Sequence, residues 1–401
     1  MNQVVDDVLE GSAALLEELC AISTATGDAE GLRRCARRLG HELVELGFLV
    51  EIENRPNMDG VSQPILVATS KPTGGSRVLL IGHLDTVLPS ATPPRRLEDR
   101  IEGTGVLDMK GGFAALVGAL RLCRARGQGT PAELTLVAVP DEEIGGPISE
   151  SAVRQWGEGV SAVLVLEPGR LIDGGETIVT GRRGLSVWRL EARGRAAHSG
   201  LAFTDGRSAL AAAAEWSAKA QALSEDSGGP IVNVGRIIGG DSEFVQDLGE
   251  EHRFVGTSQR LNVVADRSLA EGEARYLTLA DRDRVLNRMR GLAERAAESW
   301  GVEILFDVVE EIPPVPPSER GGELARMLVD AARTDGWRLE TETDRGGVSF
   351  PNFLPDPSAV LVIDGLGPVG DGMHTREEWV SLASLDRRIR LIAYLLETLP
   401  G

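Results

Sequence analysis

The sequence predicts an α/β chain: a mostly parallel sheet flanked by helices, interrupted by a smaller α+β domain. Three observations predict it. RVLLIGH (77–83), ELTLVAVPDEE (133–143) and AVLVLEPG (162–169) are continuous apolar runs ending in polar or acidic residues, as strands buried on both faces do. Helical patterns stand around these runs, and strands alternating with helices argue for a parallel sheet covered on both sides. From about Leu185 the texture changes, because SVWRLEARG (186–194) alternates apolar and polar residues like a half-exposed antiparallel strand.

Taken in order, residues 4–48 read as two amphipathic helices ending near Gly47, followed by the short extended stretches LVEIEN and ILVATS. The turn residues Lys71 to Gly75 precede the first buried strand. Lys110 to Arg126 is rich in Ala and Leu at helical spacing. Beyond Leu185 come a helix from about Arg207 to Leu223, the extended runs VNVGRIIGG and LNVVADRSLAEGEARYLTL, and a helix from about Asp281 to Trp300. This is a β-α-β-β-α-β-like run, with a sheet on one side and two helices on the other. Pro313, Pro314, Pro316 and Pro317 mark the return to the first domain, which a helix (about 319–335), the strand AVLVIDG (359–365) and a last helix (about 381–398) complete. The expected boundaries are 1–184 and 310–401 for the larger domain and 185–309 for the inserted one.

Composition limits the function classes. The 401 residues carry a formal net charge of −19, with 42% apolar and 4% aromatic side chains. An acidic surface repels phosphate backbones and anionic headgroups, so neither nucleic acid nor membrane is an expected partner. The amino-terminal stretch MNQVVDDVLEGSAALLEELC lacks the basic and apolar regions of a secretion signal. Three cysteines without C-x-x-C spacing read as reduced, packed thiols, and the expected compartment is the cytoplasm.

The chemistry lies in where acids and histidines fall. His83 and Asp85 close one buried strand, Glu142 and Glu143 the next, and Glu167 the third; His374 follows the last strand after a glycine-rich loop, and Asp108 sits among glycines. Ligand sites in open parallel sheets form at the carboxyl ends of strands. Each residue alone has an ordinary structural explanation, but with only five histidines in the chain, five strand-end coincidences together do not. Imidazoles and carboxylates in this number suit two zinc ions sharing one carboxylate. In His-x-Asp, Asp85 can take the ring proton of His83 and fix its tautomer. Of two consecutive glutamates, one can bind metal while the other serves as general base.

The segments GHLDTV (82–87), GTGVLDMKGG (103–112), PDEEIGG (140–146), LEPG (166–169), RAAHSG (195–200) and DGLGPVGDGMHTREEW (364–379) together resemble the di-zinc metallopeptidases that include glutamate carboxypeptidase, aminoacylase and succinyl-diaminopimelate desuccinylase. The DGLGPVG stretch is most similar to the glutamate-carboxypeptidase-like branch. The resemblance implies a zinc-peptidase catalytic domain with an inserted ferredoxin-like lid and dimerisation domain, and hydrolysis of an N-acyl amino acid or dipeptide with a free carboxylate by a metal-activated hydroxide. It implies two Zn2+ per subunit, with Co2+ or Mn2+ as substitutes that carboxylate-rich sites tolerate. His83, Glu167 and bridging Asp108 then hold one ion; Asp108, Glu143 and His374 hold the other. Glu142 is the base, Asp85 the partner of His83, and the peptide bond after Asp108 is cis. His198 reaches a partner subunit's active site in a homodimer, and Asn262 and Arg275 hold the substrate carboxylate, which a guanidinium fork matches bidentately. Arg182, Arg183 and Arg345 are expected to draw the anion inward.

Two departures stand out. Relatives carry GG-x-S-D-x-N-F, whereas GGVSFPNF (346–353) has Phe350 in place of the acid; Ser349 and Asn352 remain and are assigned to substrate binding. The acidic stretch 241–260, with His252, stands where relatives have a short connection and reads as a surface loop. Phe350 keeps a second reading open, a specialised biosynthetic amidohydrolase or amide-forming enzyme on the same metals. A third is a non-catalytic dimeric scaffold, which gives no reason for a base beside a ligand.

Overall fold

The apolar runs become the central sheet of a computed structural model that describes residues 2–225, 228–251 and 262–399. Its main strands are β1 (Leu49–Pro56), β2 (Ser62–Thr69), β3 (Arg77–His83), β4 (Glu133–Val139), β5 (Ala162–Val165), β6 (Gly184–Arg193), β7 (Ile231–Gly240), β8 (Arg267–Tyr276), β9 (Glu303–Ile312) and β10 (Leu361–Ile363). The helices are α1 (Asn2–Ala21), α2 (Ala29–Glu45), α3 (Lys110–Ala125), α4 (Pro147–Trp156), α5 (Ala209–Gln221), α6 (Ser242–Glu251), α7 (Leu279–Trp300), α8 (Glu319–Thr334) and α9 (Leu382–Thr398). Two compact units result, one of Met1–Gly181, Pro317–Arg345 and Ser349–Gly401, the other of Arg182–Pro316 with Gly346–Val348.

In the larger unit the sheet order is β1-β2-β4-β3-β5-β10. β3 runs parallel to β4 and β5, and β5 to β10. The β1–β2 hairpin adds an antiparallel edge through β2 and β4. Leu79, Leu80, Ile81 and all of β5 are buried, which is why these strands read as unbroken apolar runs. The helices α1, α3 and α9 pack on one another, and α2 covers the hairpin. Gly112 lets the start of α3 close on the end of β5, since a Cβ there would stand 2.0 Å from the Leu166 carbonyl oxygen. The effect is to bring the Asp108 loop, the ends of β3 and β4, and the Glu167 turn to one rim.

The smaller unit has the order β7-β8-β6-β9, antiparallel throughout, with α5 and α7 packed on it. The alternating pattern of β6 buries Ser186, Trp188 and Leu190 and leaves Arg189 exposed. Trp188 meets Trp216 edge-on at 5.1 Å, and Phe306 lies 5.8 Å from Trp216, filling the space between sheet and helices. Thr278 caps α7 by accepting the Asp281 N–H, and Gly301, at φ 62°, ends it. β9 carries this unit past Val309 to Ile312.

One expectation changes. The first half of the 241–260 stretch is helix α6 rather than a loop. Asp241 accepts the Phe244 N–H at 3.2 Å, starting the turn, and the Ser242 hydroxyl donates to Asp266 at 2.7 Å, tying it down. His252 and the rest of the stretch lie outside the described residues. Cys20, Cys35 and Cys123 are buried free thiols. Among the described residues no helix is long and apolar enough to cross a membrane.

Candidate active site

The larger unit brings His83, Asp85, Asp108, Glu142, Glu143, Glu167 and His374 together. His83, the last residue of β3, donates from Nδ1 to the Asp85 carbonyl at 3.0 Å, with the Asp85 carboxylate 3.4 Å away. A carbonyl can only accept, so Nδ1 carries a proton and Nε2 is the ring atom turned to the carboxylates. Nε2 faces Asp108 Oδ1 at 3.1 Å and Glu167 Oε1 at 3.6 Å. On the other side, His374 Nε2 lies 3.1 Å from Asp108 Oδ2 and 3.2 Å from Glu143 Oε2. Each oxygen of Asp108 thus faces a different imidazole.

Such a set fits cations. Two ligand atoms on a tetrahedral ion at roughly 2.0–2.1 Å are about 3.3 Å apart, and the observed N···O separations of 3.1 to 3.6 Å bracket that value. Donor atoms of His83, Asp108 and Glu143 lie within 4.8 Å of one another, as do those of His83, Glu142 and Glu167. Four carboxylates against two imidazoles leave an excess of negative charge that two divalent ions would neutralise.

The protonation behaviour of the bare site shows the same crowding. Burial pushes Glu143 up to about 7 and drives Glu167 well above its ordinary range despite the opposing His83. Hydrogen bonding to Asp108 lifts His374 to about 9. Burial would raise Asp108, but His374 and His83 hold it below the carboxylate range.

Backbone geometry sets the remaining positions. Glu142 and Glu143 lie in a tight turn after β4 that ends at Gly145 in the left-handed region, φ 88°. The Asp85 carboxylate accepts both their N–H groups at 3.2 Å and the Thr26 hydroxyl at 2.8 Å. Asp85 therefore aims the glutamate pair as well as the imidazole. His374 sits at φ 63°, uncommon for a residue with a side chain. The Asp108–Met109 peptide is cis.

Sequence reasoning did not single out Thr26 or Glu378. Glu378, which accepts the Asp108 N–H at 3.0 Å, looks like half of an ordinary surface pair with Glu377. Phe350 is buried with its ring 6.4 Å from that of His83, so it packs behind a candidate ligand. Ser349 and Asn352 are buried too, and Asn352 Oδ1 accepts the Ser349 N–H at 3.0 Å. Arg345 is fastened to Glu342 and the Pro168 carbonyl, Arg182 to the Gly347 carbonyl and Arg183 to the Gly229 carbonyl. All three are at most 6% exposed, so they do not hold out charge to an approaching anion.

The smaller unit holds His198, Asn262 and Arg275. His198 is exposed and its Nδ1 accepts the Gly200 N–H at 3.1 Å, which places the ring proton on Nε2, 3.4 Å from the Asn262 amide nitrogen. Arg275 forks onto Glu273 at 2.8 and 3.0 Å and donates to the Gly346 carbonyl at 2.7 Å.

Comparison with known proteins places this constellation. The family model described as peptidase family M20/M25/M40 matches residues 79–398, spanning every segment of the rim except Thr26. The chain belongs to this family. M20 relatives include carboxypeptidase G2 of a Pseudomonas species, 28% identical over 95% of this chain and 87% of that protein. Succinyl-diaminopimelate desuccinylase of Herminiimonas arsenicoxydans is 23% identical over 96% of this chain and 98% of that protein. The crystal structure of aminopeptidase PepT from Bacillus cereus superposes with a TM-score of 0.75 at 20% identity, covering 97% of this chain and 98% of that one. As an M20 peptidase the chain is a hydrolytic enzyme of the metal-dependent amide-cleaving type, which sets aside the non-catalytic scaffold.

Proposed function

We propose that this M20 enzyme cleaves the amide bond of an N-acyl amino acid or dipeptide carrying a free carboxylate, with two Zn2+ held by His83, Asp108, Glu143, Glu167 and His374. The observation that carries the reading is the Asp108 carboxylate, one oxygen turned to each imidazole Nε2. The bound ions would polarise the scissile carbonyl and acidify a water beside it.

The chain's own groups do the rest. Glu142, aimed by its N–H bond to Asp85, takes a proton from the attacking water as the oxygen–carbon bond forms. It passes that proton to the leaving nitrogen as the carbon–nitrogen bond breaks. Asp85 holds His83 in the tautomer whose Nε2 can ligate. His198, with its proton on Nε2, can donate to the developing oxyanion. In this reading it does so across a homodimer, while Asn262 and Arg275 receive the substrate carboxylate. The Arg275 fork is engaged by Glu273, so a substrate would share or displace that pairing. A cytoplasmic, small-molecule role goes with this reading.

The test is amino-acid release, followed by mass spectrometry, from a panel of N-acyl amino acids and dipeptides with zinc-loaded enzyme beside Glu142→Ala. Release by the wild type that disappears in the variant is expected and names the leaving amino acid. A metal-replete wild type inert on the whole panel contradicts the proposal.

A further inference from the structure

Glu378 is a buried carboxylate that the reaction as written does not use. It is 3% exposed and, among the described residues, makes no ion pair with lysine or arginine. Its oxygens are taken by backbone instead. Oε2 accepts the Gly105 N–H at 2.8 Å, while Oε1 accepts the N–H groups of Leu107 at 2.8 Å and Asp108 at 3.0 Å. Its own carbonyl accepts the Gly103 N–H at 2.9 Å. One residue thereby engages four donors of the 103–108 loop. A carboxylate is costly to bury, and three N–H donors are what make this one tolerable.

Its position along the chain matters as much as its bonds. Glu378 follows His374 by four residues, on the loop between Gly370–Asp371 and Trp379–Ser381. Asp108 and His374 are 266 residues apart in sequence and meet at 3.1 Å. The Glu378 carboxylate is a second tie between their two loops, and it holds the peptide plane from which the Asp108 side chain projects.

We propose that Glu378 is a positioning residue for the metal centre: by gathering the Gly105, Leu107 and Asp108 N–H groups, it locks Asp108 and His374 into one template for the two ions. This rests on the reading of Asp108 and His374 as metal ligands. A staple that only stabilised the fold would make the same bonds without affecting metal affinity, and that difference can be measured.

The variant is Glu378→Gln, which keeps the shape but turns an NH2 toward a backbone N–H. The probe is Zn2+ alone, titrated into metal-free full-length protein against a chromophoric chelator, with the visible spectrum of the Co2+-loaded protein as a second readout. Glu176→Gln is the control, since Glu176 is also buried but is bound to Arg387 and Arg388 on α9. The expected result is a zinc affinity weakened by about 10- to 100-fold in Glu378→Gln, with an altered Co2+ spectrum, and unchanged binding in Glu176→Gln. Should Glu378→Gln fail to fold, Glu378→Asp, which keeps the charge but draws it back by one methylene, is expected to show the same weakening. Wild-type affinity and spectrum in every folded Glu378 variant would overturn the proposal, as would equal weakening in Glu176→Gln. A wild type that binds no zinc would instead defeat the ligand assignment, and this proposal with it.

Discussion

The rim of the larger unit and the exposed residues of the smaller one are built on opposite terms. At the rim, imidazole Nε2 atoms face carboxylate oxygens at 3.1 to 3.6 Å, and acids outnumber bases. Several of these groups are braced from behind: His83 by the Asp85 carbonyl, the glutamate pair by the Asp85 carboxylate, Asp108 by Glu378. In the smaller unit, Arg275 is balanced by Glu273 and His198 stands in solvent beside Asn262. The first arrangement holds its charge in check with protons that cations could replace; the second is balanced by its own ion pair. Metal binding and the bond-breaking step should therefore reside in the larger unit, and substrate selection in residues whose present partners can be exchanged.

Metal removal gives the largest expected effect. Chelation should abolish amide cleavage altogether, and Zn2+ should restore it, checked by dialysis against a chelator and back-titration. Next comes Glu142→Gln, expected to lower kcat by about 10²- to 10⁴-fold while bound zinc stays at the wild-type level. Zinc content beside the rate separates the base from the ligands. Arg275→Lys should then act on the other side of the comparison, raising KM by about 10-fold with metal content untouched, because lysine lacks the planar fork. A fall confined to kcat, with KM unchanged, would move Arg275 out of substrate binding.

The smallest effect is a pH dependence of the metal-free protein. His374, raised to about 9, keeps its proton well above its ordinary range, and Glu143, raised to about 7, does the same. Both groups are raised in the folded state, so their contribution to metal-free stability fades as pH climbs, from 4.5 to about 7 for Glu143 and from 6.5 to about 9 for His374. Cations must displace those protons, so zinc affinity should rise over the same interval. Melting temperatures of chelated protein at pH 6 and 9 and proton release on zinc uptake, read by calorimetry in two buffers, check both signs.

The comparison also explains what the sequence could and could not reveal. Strand-end residues such as His83, Glu143 and Glu167 were legible because a buried strand ends where its apolar run ends, and the parallel sheet sends those ends to one rim. The alternation of β6 announced the smaller sheet for the same reason. Glu378 and Thr26 were not legible, because each acts on backbone N–H groups or a carboxylate far away in sequence, and nothing local distinguishes them from surface residues. Helix α6 was hidden in an acidic stretch whose start depends on the Asp241 cap and on Asp266, just before β8. Arg182, Arg183 and Arg345 misled because charge in a sequence does not show whether a carbonyl or carboxylate waits beside it in the fold.

The proposed chemistry depends on Asp108 being shared between two ions. Anomalous diffraction at the zinc edge from zinc-soaked crystals tests this directly. It should show two peaks about 3.5–4 Å apart, one between His83 and Glu167, the other between Glu143 and His374, with Asp108 shared. A single peak, or zinc only at other carboxylates such as those around His41, would contradict it.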